Sequence, residues 1–276
     1  MNSIQISIIA TEQEQEILIS QLEELYANGF EQTQDALIAY FPENNFESYA
    51  VNGILKNYQY SISTVEEQNW NAVWESNFEP VVVEDFCAIR AEFHEPITNV
   101  SYEIVITPKM SFGTGHHATT YMMIQQMKDM DFTGKHVFDF GTGTGILAIL
   151  AEKLGSEKIQ AIDVDDWSIE NARENINRNG CSKINVELSS QLPAQQFDII
   201  LANINRNVIL QYMPGLKEIL NNEQGKLLLS GLLVSDKEDI MKACMNQGLK
   251  LIKELERNNW ISLLFVNDAG FTARLA

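Results

Sequence analysis

Hydrophobic positions follow different patterns in the two parts of the chain. In residues 1–65, strand-like runs and two amphipathic helical segments, over about 12–28 and 43–57, follow the order β-α-β-β-α-β. This order is typical of a ferredoxin-like domain. Residues 30–41 fit either two short strands about a turn or one bent strand. The pattern therefore predicts a small α+β domain over residues 1–65.

The next segment, residues 66–80, carries its aromatic residues on one face. Trp70, Trp74 and Phe78 recur every four residues, a spacing that aligns them along a helix. We interpret the segment as a linker helix whose aromatic face packs between two domains.

Residues 81–276 are predicted to form the second domain. From residue 132 onward, short apolar runs alternate with amphipathic stretches of helical length. This alternation predicts an α/β fold with a parallel sheet flanked by helices. The last two strands, joined across Asn258 and Asn259, are predicted to add an antiparallel edge hairpin.

Composition narrows the class of protein. The chain has 276 residues, of which 45% are hydrophobic. No apolar run approaches the roughly 18 residues of a membrane span, and the N-terminus lacks the features of a signal peptide. Cys87, Cys181 and Cys244 are widely spaced and odd in number, which favours reduced thiols and a cytoplasmic location.

The charge balance is strongly acidic. Nineteen Lys and Arg residues stand against 38 Asp and Glu residues, giving a net charge of −19. Such a surface repels nucleic acid, so we expect no direct nucleic-acid binding, and it attracts a cationic partner. Solubility alone would explain the charge equally well. No coiled-coil pattern or apolar surface stripe is evident, so a monomer is expected.

A glycine-rich turn, DFGTGTG at residues 139–145, follows the first strand of the alternating region. Ligands of parallel sheets bind at the carboxyl ends of strands, where Gly141, Gly143 and Gly145 let the backbone approach closely. The spacing GxGxG differs from the dinucleotide pattern GxGxxG. Asp139 would repel a pyrophosphate but can accept hydrogen bonds from an ammonium group. The turn therefore fits a ligand with a cationic end better than NAD.

Asp163 ends the next predicted strand, 22 residues after Gly141. A carboxylate in this position can accept hydrogen bonds from both ribose hydroxyls of a nucleoside. Asp165 and Asp166 fit better as caps of the following helix. The glycine turn and Asp163 together are much more specific than the glycines alone.

Two further motifs, SFGTGHHATT at residues 111–120 and ANINRN at residues 202–207, complete a resemblance. The chain resembles the ribosomal protein L11 methyltransferase family of class I methyltransferases over nearly its whole length. This resemblance implies a Rossmann-like sheet and S-adenosyl-L-methionine held between the two glycine loops. It also implies methyl transfer to amino groups, lysine side chains and/or the N-terminal α-amine, of the basic large-subunit ribosomal protein L11. The N-terminal domain would recognise that substrate.

The resemblance implies contacts to the cofactor from Thr120, Gly141, Asp163 and Asn203. With the residues argued above, the predicted cofactor-binding set is Thr119, Thr120, Asp139, Gly141, Gly143, Gly145, Asp163 and Asn203. His116 and Ala118 depart from the family pattern FGTGTHPTT, and the continuation of ANIN through Arg206 is unusual.

Asn203 is the predicted catalytic residue. Its amide oxygen can accept a hydrogen bond from the amine nucleophile, with water or a nearby carboxylate receiving the proton, although asparagine is also a common turn former. Thr119 and Thr120 begin a helix, where one of the pair can serve simply as a cap. His116 and His117 are adjacent and would not easily share one ion, so no metal site is predicted.

Three other functions share these features. A small-molecule amine N-methyltransferase would use the same loops but leaves the N-terminal domain without a purpose. The function of an RNA-base methyltransferase is disfavoured by the net charge of −19 and by the absence of Pro-Pro-Tyr after Asn203. A module that senses S-adenosylmethionine without methyl transfer is the least favoured, because Asp139, the three glycines, Asp163 and Asn203 are all intact.

Overall fold

The computed structural model describes residues 3–23, 25–27, 29–33, 35–65, 78–108 and 115–268. The chain divides into two units, residues 1–76 and 77–276. The predicted linker helix falls almost entirely on residues 66–77, which are not among those described. That helix, and the predicted domain boundaries at 65 and 80, stay predictions.

The first unit has the predicted order of elements. They are β1 (Ser3–Ile9), α1 (Glu12–Glu23), β2 (Gly29–Gln32), β3 (Ala36–Pro42), a 3-10 turn (Glu43–Asn45), α2 (Ser48–Leu55) and β4 (Gln59–Val65). The strands form an antiparallel sheet in the order β2-β3-β1-β4. Residues 30–41 thus contribute to two strands rather than one bent strand.

One face of this sheet forms the core of the first unit. Ile4, Ile6 and Ile8 of β1 lie opposite Phe41, Ala39 and Leu37 of β3, and all six are buried. Because side chains alternate across a strand, this register places the apolar set of both strands on the same face. Helices α1 and α2 complete this core with Leu18, Leu22, Val51 and Leu55.

The second unit begins with a small sheet. Strands β5 (Val81–Val83), β6 (Cys87–Ala91) and β7 (Tyr102–Ile106) lie in that order, β6 pairing antiparallel with β5 and parallel with β7. Cys87, Ile89 and Ile104 are buried in the core that also lies beneath the main sheet.

The main sheet has seven strands with helices between them. The elements are α3 (Ala118–Met127), β8 (His136–Phe140), α4 (Ile146–Lys153), β9 (Lys158–Asp163), α5 (Asp166–Arg178), β10 (Ile184–Leu188), β11 (Ile199–Asn203), α6 (Arg206–Ile219), β12 (Glu223–Leu233), a 3-10 turn (Val234–Asp236), α7 (Lys237–Asn246), β13 (Leu249–Arg257) and β14 (Trp260–Asp268). The strand order is β10-β9-β8-β11-β12-β14-β13. All neighbours pair in parallel except β14, which is antiparallel to β12 and β13. The predicted α/β fold with a mostly parallel sheet is confirmed.

The terminal hairpin turns where the sequence predicts. Asn258 and Asn259 both have positive φ, 51° and 64°, which suits the two-residue turn that joins twisted antiparallel strands. The hairpin folds back so that β14 enters the sheet and β13 forms its edge. The antiparallel strand therefore lies one position in from the edge.

Strand order also determines where a ligand can bind. From β8 the chain continues outward through β9 to β10, and it then returns to β11 on the other side of β8. A crevice opens at the carboxyl ends of strands where the order reverses in this way. Among the described residues, no helix has both the length and the apolar character needed to cross a membrane.

Candidate active site

A cavity of about 710 Å³ opens at the carboxyl ends of β8, β9 and β11. Residues at the beginning of α3, together with Gly231 and Trp260, also line this cavity. Six of the predicted cofactor-binding residues line it: Thr119, Thr120, Gly141, Gly143, Asp163 and Asn203. Residues that are more than 80 positions apart in sequence are thus brought into one site.

The turn after β8 needs its glycines for two different reasons. Gly141, Gly143 and Gly145 have φ of 75°, 53° and 82°, a region that side chains with a Cβ rarely adopt. Gly145 begins α4, and a Cβ there would lie 3.3 Å from Cβ of Ala172 on α5. Gly141 and Gly143 therefore shape the cavity wall, whereas Gly145 allows two helices to pack closely.

Asp163 fixes this glycine turn to the end of β9. Its Oδ2 accepts a hydrogen bond from the backbone N–H of Gly143 at 2.9 Å. Oδ1 accepts from the N–H groups of Val164 and Asp165, at 2.8 and 3.1 Å. A carboxylate has about four acceptor positions, so Asp163 keeps capacity for a ligand hydroxyl while organising the surrounding backbone.

Asp139 lies beneath the turn and not on the cavity wall. Its Oδ2 accepts from the Thr142 hydroxyl at 2.6 Å, whereas Oδ1 has no hydrogen-bond partner within the part of the chain described. Burial raises the pKa of Asp139 to about 7, against the effect of the Thr142 hydrogen bond. Asp139 therefore lies close to the cavity without lining it, and its contact with the cofactor stays a prediction.

This raised pKa predicts a pH-dependent stability. The folded protein retains a proton on Asp139 that the unfolded chain has lost, so this contribution is fully present below about pH 4 and disappears as the pH rises through about 7. Asp139→Asn stays neutral. The free energy of unfolding of this variant, relative to that of the unsubstituted protein, should therefore be higher at about pH 8 than at about pH 5. Denaturant unfolding at both pH values measures this difference. A difference that does not change with pH would contradict the assignment.

His117 caps α3 at the edge of the cavity. Its Nδ1 accepts from the backbone N–H of Thr119 at 3.4 Å and lies 2.7 Å from the Thr119 hydroxyl. The ring also packs edge-on against Trp260, with centroids 4.6 Å apart. The cap is therefore His117 rather than either threonine, and it engages the side chain of Thr119.

Thr120 and Asn203 meet across the cavity. The Asn203 Nδ2 donates to the Thr120 hydroxyl at 3.2 Å, which joins the beginning of α3 to the end of β11. This hydrogen bond orients the side-chain amide of Asn203 and leaves its Oδ1 to accept a hydrogen bond from a ligand. A fixed acceptor at the end of β11 is the arrangement that the catalytic hypothesis for Asn203 requires.

Gly231 lines the cavity and was not identified by sequence reasoning. Its φ is +82°, and a Cβ would clash with the backbone oxygen of Ile204 and lie 2.8 Å from its carbonyl carbon. The signal was a glycine inside a predicted strand, which often marks close approach of another backbone. Gly231 lets the segment that follows Asn203 lie against β12.

Gly231→Ala is therefore expected to destabilise the protein by about 2–5 kcal/mol, the sum of a left-handed backbone and a backbone clash. Gly180→Ala is the matched control because Gly180 also has positive φ, +65°, but nothing lies within 4 Å of its Cβ position. We expect the control to lose only about 1–2 kcal/mol. Denaturant unfolding compares the two, and equal losses would contradict the proposed contact.

The first glycine loop is described only in part. Residues 111–114 of the SFGTGHHATT motif belong to the segment left undescribed, so its predicted contact with the cofactor stays a prediction. Gly115 has φ +96°, and the ring of His116 packs edge-on against Phe78 at 4.7 Å. The two histidines thus contact different aromatic residues.

The chain is similar to known proteins over most of its length. Residues 2–268 match the family model described as Ribosomal protein L11 methyltransferase (PrmA). A protein of that name from Porphyromonas gingivalis is 40% identical over 267 residues, covering 92% of this chain and 91% of the relative. Another from Chlorobaculum tepidum is 36% identical over 265 residues, covering 90% and 91%.

A solved structure supports the same relationship. The crystal structure of ribosomal protein L11 methylase from Lactobacillus delbrueckii subsp. bulgaricus matches with a TM-score of 0.62 and 29% sequence identity. The match covers 68% of this chain and 97% of that one. The chain therefore belongs to the ribosomal protein L11 methyltransferase family.

Proposed function

We propose that this protein transfers methyl groups from S-adenosyl-L-methionine to amino groups of ribosomal protein L11. The observation that carries the proposal is the convergence of the glycine turn, Asp163 and the Thr120–Asn203 pair on one cavity. Membership of the family supports the substrate, because relatives that match over most of this chain carry that name. Lysine side chains, the N-terminal α-amine or both are the acceptors.

The residues present fit the cofactor. Backbone at Gly141 and Gly143 can approach it without side-chain interference, and Asp163 has a remaining acceptor position for a ribose hydroxyl. Asp139 lies beneath the turn, where a negative charge would favour the ammonium end of the cofactor's amino-acid part, and Thr120 lines the cavity. When bound, the cofactor supplies an electrophilic methyl group on a sulfonium sulfur.

Asn203 orients the acceptor in this proposal. An amine accepts a methyl group only through its free electron pair, and a lysine with a pKa of about 10.4 is mostly protonated at neutral pH. Transfer from water into the cavity favours the neutral form. Asn203 Oδ1 then accepts a hydrogen bond from the amine and directs its electron pair, while water takes the released proton. Alignment of this kind can lower a barrier by about 7–11 kcal/mol.

The charge of the chain supports a basic protein partner. A net charge of −19 increases the rate of encounter with a cationic protein and disfavours nucleic acid. We assign substrate recognition to the N-terminal unit, residues 1–76. The proposal includes a monomeric enzyme that acts in the cytoplasm, where ribosomal proteins are made and thiols stay reduced.

Transfer of a labelled methyl group tests the substrate. Unmethylated ribosomal protein L11, free lysine, a panel of small amines and ribosomal RNA are each incubated with the protein and labelled S-adenosylmethionine. We expect label in the ribosomal protein alone. Label in small amines but not in the protein would replace the proposal with a small-molecule N-methyltransferase.

A further inference from the structure

Three asparagines on α5 form a row that binds a neighbouring strand. Asn171 and Asn175 of α5 are fully buried, and Asn179, spaced by the same four residues, caps the C-terminus of this helix. Val105 donates its N–H to Asn179 Oδ1 at 3.0 Å and accepts from Asn179 Nδ2 at 2.7 Å. Thr107 donates its N–H to Asn175 Oδ1 at 2.8 Å and accepts from Asn171 Nδ2 at 3.3 Å.

The spacing of the row matches that of a β-strand. Four residues along a helix advance about 6.0 Å, and two residues along a strand advance about 6.6 Å. Side chains at every fourth position of α5 can therefore reach alternate residues of an extended segment. Within the described residues, β7 pairs with β6 along one edge and with no strand along the edge that faces α5. The asparagine row thus satisfies the open edge of β7 as another strand would.

Asn175 has a second partner in the glycine turn. Its Nδ2 donates to the backbone carbonyl of Thr144 at 2.9 Å and to Asn171 Oδ1 at 3.2 Å. Thr144 lines the cavity between Gly143 and Gly145. One buried amide therefore holds Thr107, four residues before the SFGTGHHATT motif, and Thr144, inside the DFGTGTG motif.

We infer that Asn175 is a positioning residue for the cofactor cavity, one that keeps the glycine turn in its binding conformation by fixing the Thr144 carbonyl against Thr107. The inference rests on the proposed cofactor. Asparagine is needed because this position requires a donor and an acceptor in one neutral group. An aspartate would retain the acceptor for Thr107 and lose the donor to Thr144.

Binding of S-adenosylhomocysteine, measured by calorimetry, tests this inference. We expect Asn175→Ala and Asn175→Asp to raise the dissociation constant at least about tenfold, because both lose the hydrogen bond to Thr144. Asn179→Ala is the matched control, since it removes hydrogen bonds to Val105 from the same row and makes none to the glycine turn. It should lower the melting temperature while keeping the dissociation constant within about twofold.

Hydrogen–deuterium exchange distinguishes the hydrogen bond between Asn175 and Thr107 from the one between Asn175 and Thr144. The amide of Thr107 should exchange faster in Asn175→Ala than in Asn175→Asp, because the carboxylate still accepts its N–H. Should Asn175→Ala fail to fold, Asn175→Asp carries the test, since it keeps the acceptor for Thr107 and loses the donor to Thr144.

The outcomes distinguish this inference from the proposed function. Unchanged binding in the Asn175 variants, or equal weakening in Asn179→Ala, overturns the role of Asn175 while the cofactor assignment stands. Absence of S-adenosylhomocysteine binding by the unsubstituted protein overturns both.

Discussion

Asp163→Ala is expected to weaken the binding of S-adenosylhomocysteine by about a hundredfold or more. A hydrogen bond to a charged group contributes about 1.5–3 kcal/mol, so loss of the contact to one ribose hydroxyl accounts for a factor near the upper end of that range. The substitution also removes the acceptor of three backbone N–H groups, including that of Gly143. Calorimetric titration of the purified variant measures the change.

Two further variants separate ligand contact from charge. Asp166→Ala removes the same charge from the first turn of α5 but not from the cavity lining, so we expect its binding to stay within about twofold. Asp163→Asn retains one acceptor oxygen, so its affinity for S-adenosylhomocysteine should lie between those of Asp163→Ala and Asp166→Ala. Near-normal binding by Asp163→Ala would remove Asp163 from the proposed cofactor site.

Asn203→Ala is expected to lower kcat by about a hundredfold while leaving cofactor binding within a few-fold of normal. The variant lacks the oxygen that orients the acceptor amine, so most of the loss appears in the chemical step, and loss of the predicted cofactor contact accounts for the few-fold change in affinity. Single-turnover methyl transfer at saturating cofactor measures it.

Asn205→Ala serves as the matched control for Asn203. Asn205 is two residues along the chain, also lines the cavity, and caps α6 by accepting from the N–H of Val208 at 3.1 Å. We expect this variant to lose about 1 kcal/mol of stability with little change in kcat. An Asn203→Ala variant with unchanged kcat would show that Asn203 only shapes the turn after β11.

Residues that shape the backbone locally could be predicted from the sequence. Gly141, Gly143 and Gly145 follow a strand at regular spacing, and Asp163 ends the next strand, so adjacency in the sheet follows from topology. The turn at Asn258 and Asn259 could likewise be predicted from the residues that form it. In each case, a short stretch of sequence is sufficient to predict the local backbone.

Other features depend on contacts that no local pattern encodes. Strand β10 is an exception, because Ile184, Val186 and Leu188 alternate with polar residues as in a half-exposed edge strand, yet it was not predicted. The antiparallel strand β14 occupies the place inside the edge only because the hairpin folds back into the sheet. Asn175 and Gly231 act on backbone more than 25 residues away, at Thr144 and Ile204.

The intact mass of unmethylated ribosomal protein L11, recorded after incubation with this protein and S-adenosylmethionine, tests the proposed function most directly. Asp163→Ala is run in parallel at the same concentration of cofactor. We predict mass increases of one methyl group or its multiples, absent or greatly reduced with the variant. No increase under conditions where calorimetry shows bound cofactor would contradict the assignment of ribosomal protein L11 as the substrate.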